Sequence, residues 1–130
     1  MRLLSCCLLM AYSFVGTEMS AETSAVAGEW HGQSVCVTEA SACRNETVVY
    51  YVSDIPDRPD VVTIRADKIV DGKAITMGTG EWHYDRSQPK LEWATSQQTW
   101  VLRINGSRID GTLTLANGTL LRKMTLEKAK

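Results

Sequence analysis

Three dipeptides constrain this chain more than any other feature. Asp71-Gly72, Asn105-Gly106 and Asn117-Gly118 each separate two runs of alternating apolar and polar residues. Asn-Gly and Asp-Gly supply the positive-φ pair that a two-residue hairpin turn needs, so each predicts two antiparallel strands joined by a very short connection. No sustained apolar period of 3.6 residues competes with them.

Reading outward from these turns, eight β-rich runs emerge: Glu29 to Thr38, Glu46 to Ser53, Val61 to Val70, Lys73 to Tyr84, Lys90 to Thr95, Thr99 to Ile104, Ser107 to Leu115 and Thr119 to Glu127. Local turns between consecutive runs make an antiparallel meander. Left flat, such a sheet would expose two strand edges, and closure removes both. The predicted fold is therefore all-β, an eight-stranded antiparallel up-and-down β-barrel. A two-sheet sandwich needs long crossovers, and only Asp54 to Asp60 has the length for one. Pro56 and Pro59 in that stretch predict a wide loop, because proline interrupts a ladder. Gly78 and Gly80, inside the fourth run, mark a bend, a bulge or the crossing of a bulky neighbour. Trp30 on the first strand and Arg122 on the last, the latter in phase with Leu120, Met124 and Leu126, predict a barrel seam.

Residues 1–27 read as a signal peptide and 28–130 as one barrel domain. Arg2 is followed by an uncharged, largely apolar run from Leu3 to Gly16 and by small residues ending Ala25-Val26-Ala27, a pattern suited to signal peptidase; a cut after Ala21 is the alternative. The run is 14 residues long, short of the roughly 20 a membrane helix needs. Cys6 follows the start too closely to leave room for a lipoprotein leader. The expectation is an exported protein, periplasmic or secreted, without stable membrane insertion. Of 14 basic and 15 acidic residues, the leader takes Arg2, Glu18 and Glu22, leaving 13 of each sign. That balance argues against a nucleic-acid partner, which needs a basic surface. Cys36 and Cys43, an even pair in an oxidising compartment, predict a disulfide closing an eight-residue loop. Loop-closure entropy makes it worth about 2.5 kcal/mol.

Gly28-Glu29-Trp30 resembles the Gly-x-Trp of the calycin superfamily, which includes lipocalins, fatty-acid-binding proteins and avidins. The resemblance implies that Trp30 plugs one barrel end and that Arg122 packs across it, stacking a guanidinium on an indole. The mature chain is shorter than a typical lipocalin and shows no C-terminal helix. It also resembles the bacterial periplasmic metalloprotease inhibitors, exported barrels of similar length with one disulfide. They act through a free N-terminal arm, here Glu22 to Glu29 if the leader ends at Ala21.

Candidate chemistry is sparse. His31 and His83 lack further ligands for a metal, so no metal or cofactor is expected. Neither a Gly-x-Ser-x-Gly elbow nor a free Cys-His pair is present. Glu81, Asp85 and Glu92 near one turn read as a solvated rim, so no enzyme activity is expected. The sequons at Asn45, Asn105 and Asn117 read as turns. Aromatic residues are more informative: Trp82, Tyr84, Trp93 and Trp100 come from three neighbouring strands around one hairpin. They either fill the core or line the mouth of a pocket for a small, largely apolar ligand, with Tyr50, Tyr51 and Met77 able to join. The leading expectation is non-catalytic binding of such a molecule. The alternatives are a binding partner or inhibitor of a secreted protease or other hydrolase, and a structural envelope protein with a filled barrel.

Overall fold

A computed structural model describes residues 24–38 and 42–130. Eight strands follow in chain order: β1 Gly28–Cys36, β2 Glu46–Ile55, β3 Arg58–Val70, β4 Lys73–Asp85, β5 Lys90–Ala94, β6 Gln98–Asn105, β7 Arg108–Leu115 and β8 Leu120–Lys128. Each pairs antiparallel with its neighbours in sequence, and β8 returns to pair with β1, which closes the barrel. There is no helix among the described residues. All three dipeptides lie at hairpin connections, but only Asp71-Gly72 forms the expected positive-φ pair, with φ of 51° and 77°. Asn105 instead ends β6 and pairs with Arg108, so Gly106 (φ 61°) and Ser107 make the turn, and Gly118 (φ 87°) sits in a four-residue connection from Ala116 to Thr119.

Strand alternation sorts the side chains. Val48, Tyr50 and Val52 of β2 and Val62 and Ile64 of the adjoining β3 point into the interior from one wall. Leu102, Ile109, Met124 and Leu126 complete the far wall, all at most 4% exposed. Burying each of these large apolar side chains is worth about 1.5–3 kcal/mol. The β1–β8 closure depends on one backbone approach: a Cβ at Gly32 would overlap the carbonyl oxygen of Thr125. Only glycine lets the first and last strands come that close. Cys36 and Cys43 are joined by a disulfide, with Cα atoms 6.1 Å apart.

Two further sequence expectations are corrected. The stretch from Asp54 to Asp60 is a hairpin rather than a wide loop: Ile55 pairs with Arg58, and Asp57 takes a φ of 65° in the turn. A register shift at Asp54/Ile55 absorbs the irregularity. Pro59 sits within β3 without breaking a ladder, because β4 joins the other edge of β3 only at Val61.

The second correction concerns the seam. Trp30 pairs with Lys128 of β8, whereas Arg122 pairs with Cys36. The two partners lie six residues apart on β1, roughly 20 Å at about 3.3 Å per residue. Because β8 runs antiparallel to β1, the end of the chain, not Arg122, meets the opening strand's start. Lys128 supplies the cation instead, its Nζ 5.6 Å from the Trp30 ring centroid. Arg122 occupies the opposite end of the barrel. There its Nη1 donates to Ser34 Oγ at 3.2 Å and lies 3.9 Å from a Glu46 carboxylate oxygen.

The Trp30 end is sealed by residues preceding β1. Val26 and Trp30 are wholly buried, and the indole Nε1 donates to the Val26 carbonyl at 2.9 Å. Ser24 donates to Asp54 through both its N–H (2.9 Å) and its hydroxyl (2.5 Å), and Lys128 Nζ donates to the Ala25 carbonyl at 3.0 Å. Ser24 to Glu29 thus belong to the barrel rather than forming a free arm. Glu22 and Thr23 lie outside the described residues.

Candidate functional site

The barrel wall is uneven. β3 and β4 are paired from Val61↔His83 out to Val70↔Lys73, but β4 pairs with β5 only at His83, Tyr84 and Asp85. Beyond that point β5 diverges from β4, and a cavity of about 240 Å³ opens in the gap. Its floor is formed by Tyr50, Ile64 and Ala66 from β2 and β3, and its sides by Trp82, Trp93 and Trp100.

Three strands bring the tryptophans together. Trp93 and Trp100 are directly opposed across β5 and β6. Trp82 reaches them from β4, its ring 5.9 Å from Trp93 at a tilt of 38° and 6.5 Å from Trp100 at 61°. Such offset and edge-on geometry suits the ring quadrupoles. Trp82 is 7% exposed and Trp93 is 41% exposed, so the cluster grades from interior to solvent. Gly78 and Gly80 face the same space, and a Cβ at either would meet nothing within 4 Å. The glycines leave the room that side chains fill elsewhere in the barrel. Opposite Ala66, the ladder carries a bulge that sets Met77 apart, and Met77 also borders the cavity.

Polar groups around the cavity are few. Burial pushes the Tyr50 hydroxyl up to about 12, with Glu46 adding to the rise and Arg122 opposing it. That hydroxyl stays protonated at neutral pH and donates to Met124 Sδ at 3.7 Å, a weak acceptor. The Trp100 indole Nε1 is buried with no hydrogen-bond partner among the described residues. The lining contains no charged side chain.

Of the four aromatic residues anticipated for the site, three meet and one does not. Tyr84 shares the inward face of β4 with Trp82 but sits two residues further towards the sealed end, paired with Leu91 and 6% exposed. The Arg86 guanidinium lies 5.3 Å from its ring, and the depression it borders is a separate one on the outer surface. Tyr51 points outward, beneath Arg65 at 4.2 Å. Ile64 and Ala66 were missed as lining, although their inward phase on β3 was legible.

The rim carboxylates are occupied individually. Glu81 accepts from Arg58 at 3.1 Å, and Glu92 pairs with Lys90 at 3.2 Å. The Ser87 hydroxyl beside Asp85, together with the Ser87 N–H, holds its carboxyl below the usual carboxylate range. His31 contacts Glu29 at 2.7 Å on the exterior, and His83 lies opposite Glu92 on the outward face of β4. Among the described residues no group of three or more metal-ligating side chains is gathered.

No protein-family model matches the chain, and neither does any curated protein. Among solved structures the chain is similar to the S-type phycobiliprotein lyase CPES from Guillardia theta, at 10% identity and a TM-score of 0.45, over 82% of this chain and 89% of that one.

Proposed function

We propose that this protein is a non-catalytic, exported binder of a small, neutral, largely apolar molecule held in the tryptophan-walled cavity. The observation that carries the reading is the meeting of Trp82, Trp93 and Trp100 around space that Gly78 and Gly80 leave empty. A barrel filled for structural purposes alone would have no reason to keep that volume. Uncharged walls favour an uncharged ligand, since burying an unpaired charge is expensive. The flat indole faces favour a planar ring.

Volume sets the size. An engineered cavity of about 150 Å³ accepts benzene, so 240 Å³ corresponds to about ten non-hydrogen atoms. That is below the roughly 300–1,000 Å³ of drug-sized pockets. Calycin-like ligand carriage is the broader class into which the barrel, the leader and the Gly28-Glu29-Trp30 opening fit.

Calorimetric titration with neutral bicyclic rings such as naphthalene, quinoline and coumarin tests the proposal. Saturable binding is expected for at least one of them. Gly80→Leu, which fills the cavity, should weaken that binding at least tenfold while the barrel stays folded. Absence of saturable binding for all three rings would overturn the reading.

A further inference from the structure

Closure of the barrel leaves a long stretch of the β4 edge without a partner among the described residues. The β4–β5 ladder ends at His83, so no strand among the described residues pairs with the β5-facing edge of β4 from Lys73 to Trp82. Lys73 to Thr79 are all exposed, on both faces of the ribbon. Natural edges are guarded by lysine, proline or inward charge. Here Ala74 to Gly80 contains neither a charge nor a proline, and Ile75, Thr76 and Thr79 are good strand formers. Exposed apolar side chains concentrate around it: Ile75 at 45%, Met77 at 43% and, across the cavity mouth, Trp93 at 41%.

We propose that this edge is a dimerisation surface, occupied by β4 of a second copy running antiparallel across a two-fold axis at Met77. The charges select that occupant and that register. An axis at Met77 sets Lys73 against Glu81 of the partner subunit and, by symmetry, Glu81, an exposed carboxylate that also accepts from Arg58 within its own chain, against Lys73 of the partner subunit. Ile75 faces Thr79 of the partner subunit, and the uncharged middle of each strand faces its own copy. A parallel arrangement would instead put like charges side by side, which is unfavourable. The bulge at Met77 falls on the axis, so its irregularity lies between the two half-ladders rather than inside either. Contacts made this way are isologous and close at two copies, which prevents further growth. Met77 also borders the cavity, so the dimer contact and the mouth of the pocket share a side chain.

One short strand pair buries less than the roughly 1,600 Å² of a standard interface, so a weak, reversible dimer is expected, with a dissociation constant in the micromolar range. Sedimentation equilibrium of the folded protein, with Ser24 to Ala27 retained, tests this. Met77→Lys places two ammonium groups together on the axis and should weaken the dimer at least tenfold. Lys73→Glu should weaken it about fivefold, and the exchange Lys73→Glu with Glu81→Lys should restore it to within about twofold of the parent. All three changes are at exposed positions, and circular dichroism should show an unaltered fold. A protein that stays monomeric at several hundred micromolar overturns the proposal, as does a monomer that takes up an added extended peptide instead. A dimer indifferent to Met77→Lys, or one that the charge exchange does not rescue, overturns it equally.

Discussion

At one end of the barrel Trp30 is shut away beneath Val26, its indole N–H bonded to a backbone carbonyl and its ring beside Lys128. At the other side of the wall, Trp93 stands 41% exposed over empty space, and its neighbour Trp100 has a buried indole N–H with no partner among the described residues. The same residue type serves two purposes, and the surroundings determine which. Trp30 has backbone and side chains on every side and a satisfied donor, as an element of stability requires. Trp82, Trp93 and Trp100 form a wall whose counterpart was left out, since Gly78 and Gly80 occupy the facing positions. Glycines show the same division. Gly32 is needed because two backbones touch, whereas Gly78 and Gly80 have open space before them.

Substitutions can break this contrast. The largest effect is expected for Trp30→Ala, which should lower stability by about 3–5 kcal/mol in denaturant unfolding. Trp93→Ala should cost under about 1 kcal/mol while abolishing ring binding; similar losses at both sites would erase the distinction between sealed and open ends. Next comes Gly32→Ala, which must push β1 from β8 and should cost about 3 kcal/mol, against less than about 0.5 kcal/mol for Gly80→Ala.

Tyr50 sharpens the comparison through pH. Its folded value near 12 exceeds the ordinary 10.0, so the folded state holds the proton more tightly than the unfolded chain does. Its contribution is intact below pH 10 and is lost between pH 10 and about 12, by about 2–3 kcal/mol. Unfolding curves of Tyr50→Phe across that window should lack this part of the decline.

Much of the fold was readable because hairpin dipeptides and two-residue alternation are local. Asp71-Gly72, Asn105-Gly106 and Asn117-Gly118 all lie at hairpin connections, and all eight strands lie within a few residues of their anticipated bounds. Alternation reports which face a side chain takes, however, and not its height along the barrel. Arg122 was correctly placed in phase with Met124 and Leu126, yet it lies at the wrong end for Trp30 because height depends on the β1–β8 register. Tyr84 lies outside the cavity lining for the same reason: it has the face of Trp82 and a different level. The loop expected at Asp54 to Asp60 shows another limit. Whether Pro59 breaks a ladder depends on where the neighbouring strand begins, and no local pattern around Pro59 reports that. The gap between β4 and β5 was equally hidden. Closure of a barrel implies that every strand has two neighbours, but it does not imply that each ladder runs the full length of its strands.

The short segment from Ser24 to Ala27 carries a consequence for how this molecule matures. Its residues are the tail of the expected leader, and they also provide the lid over the first tryptophan. Release after Ala27 would discard that lid along with the address label, leaving an indole donor unanswered and the floor of the vessel open to water. Release after Ala21 would keep it, so if the expected leader is removed, the position of that cut decides whether the finished vessel has a bottom.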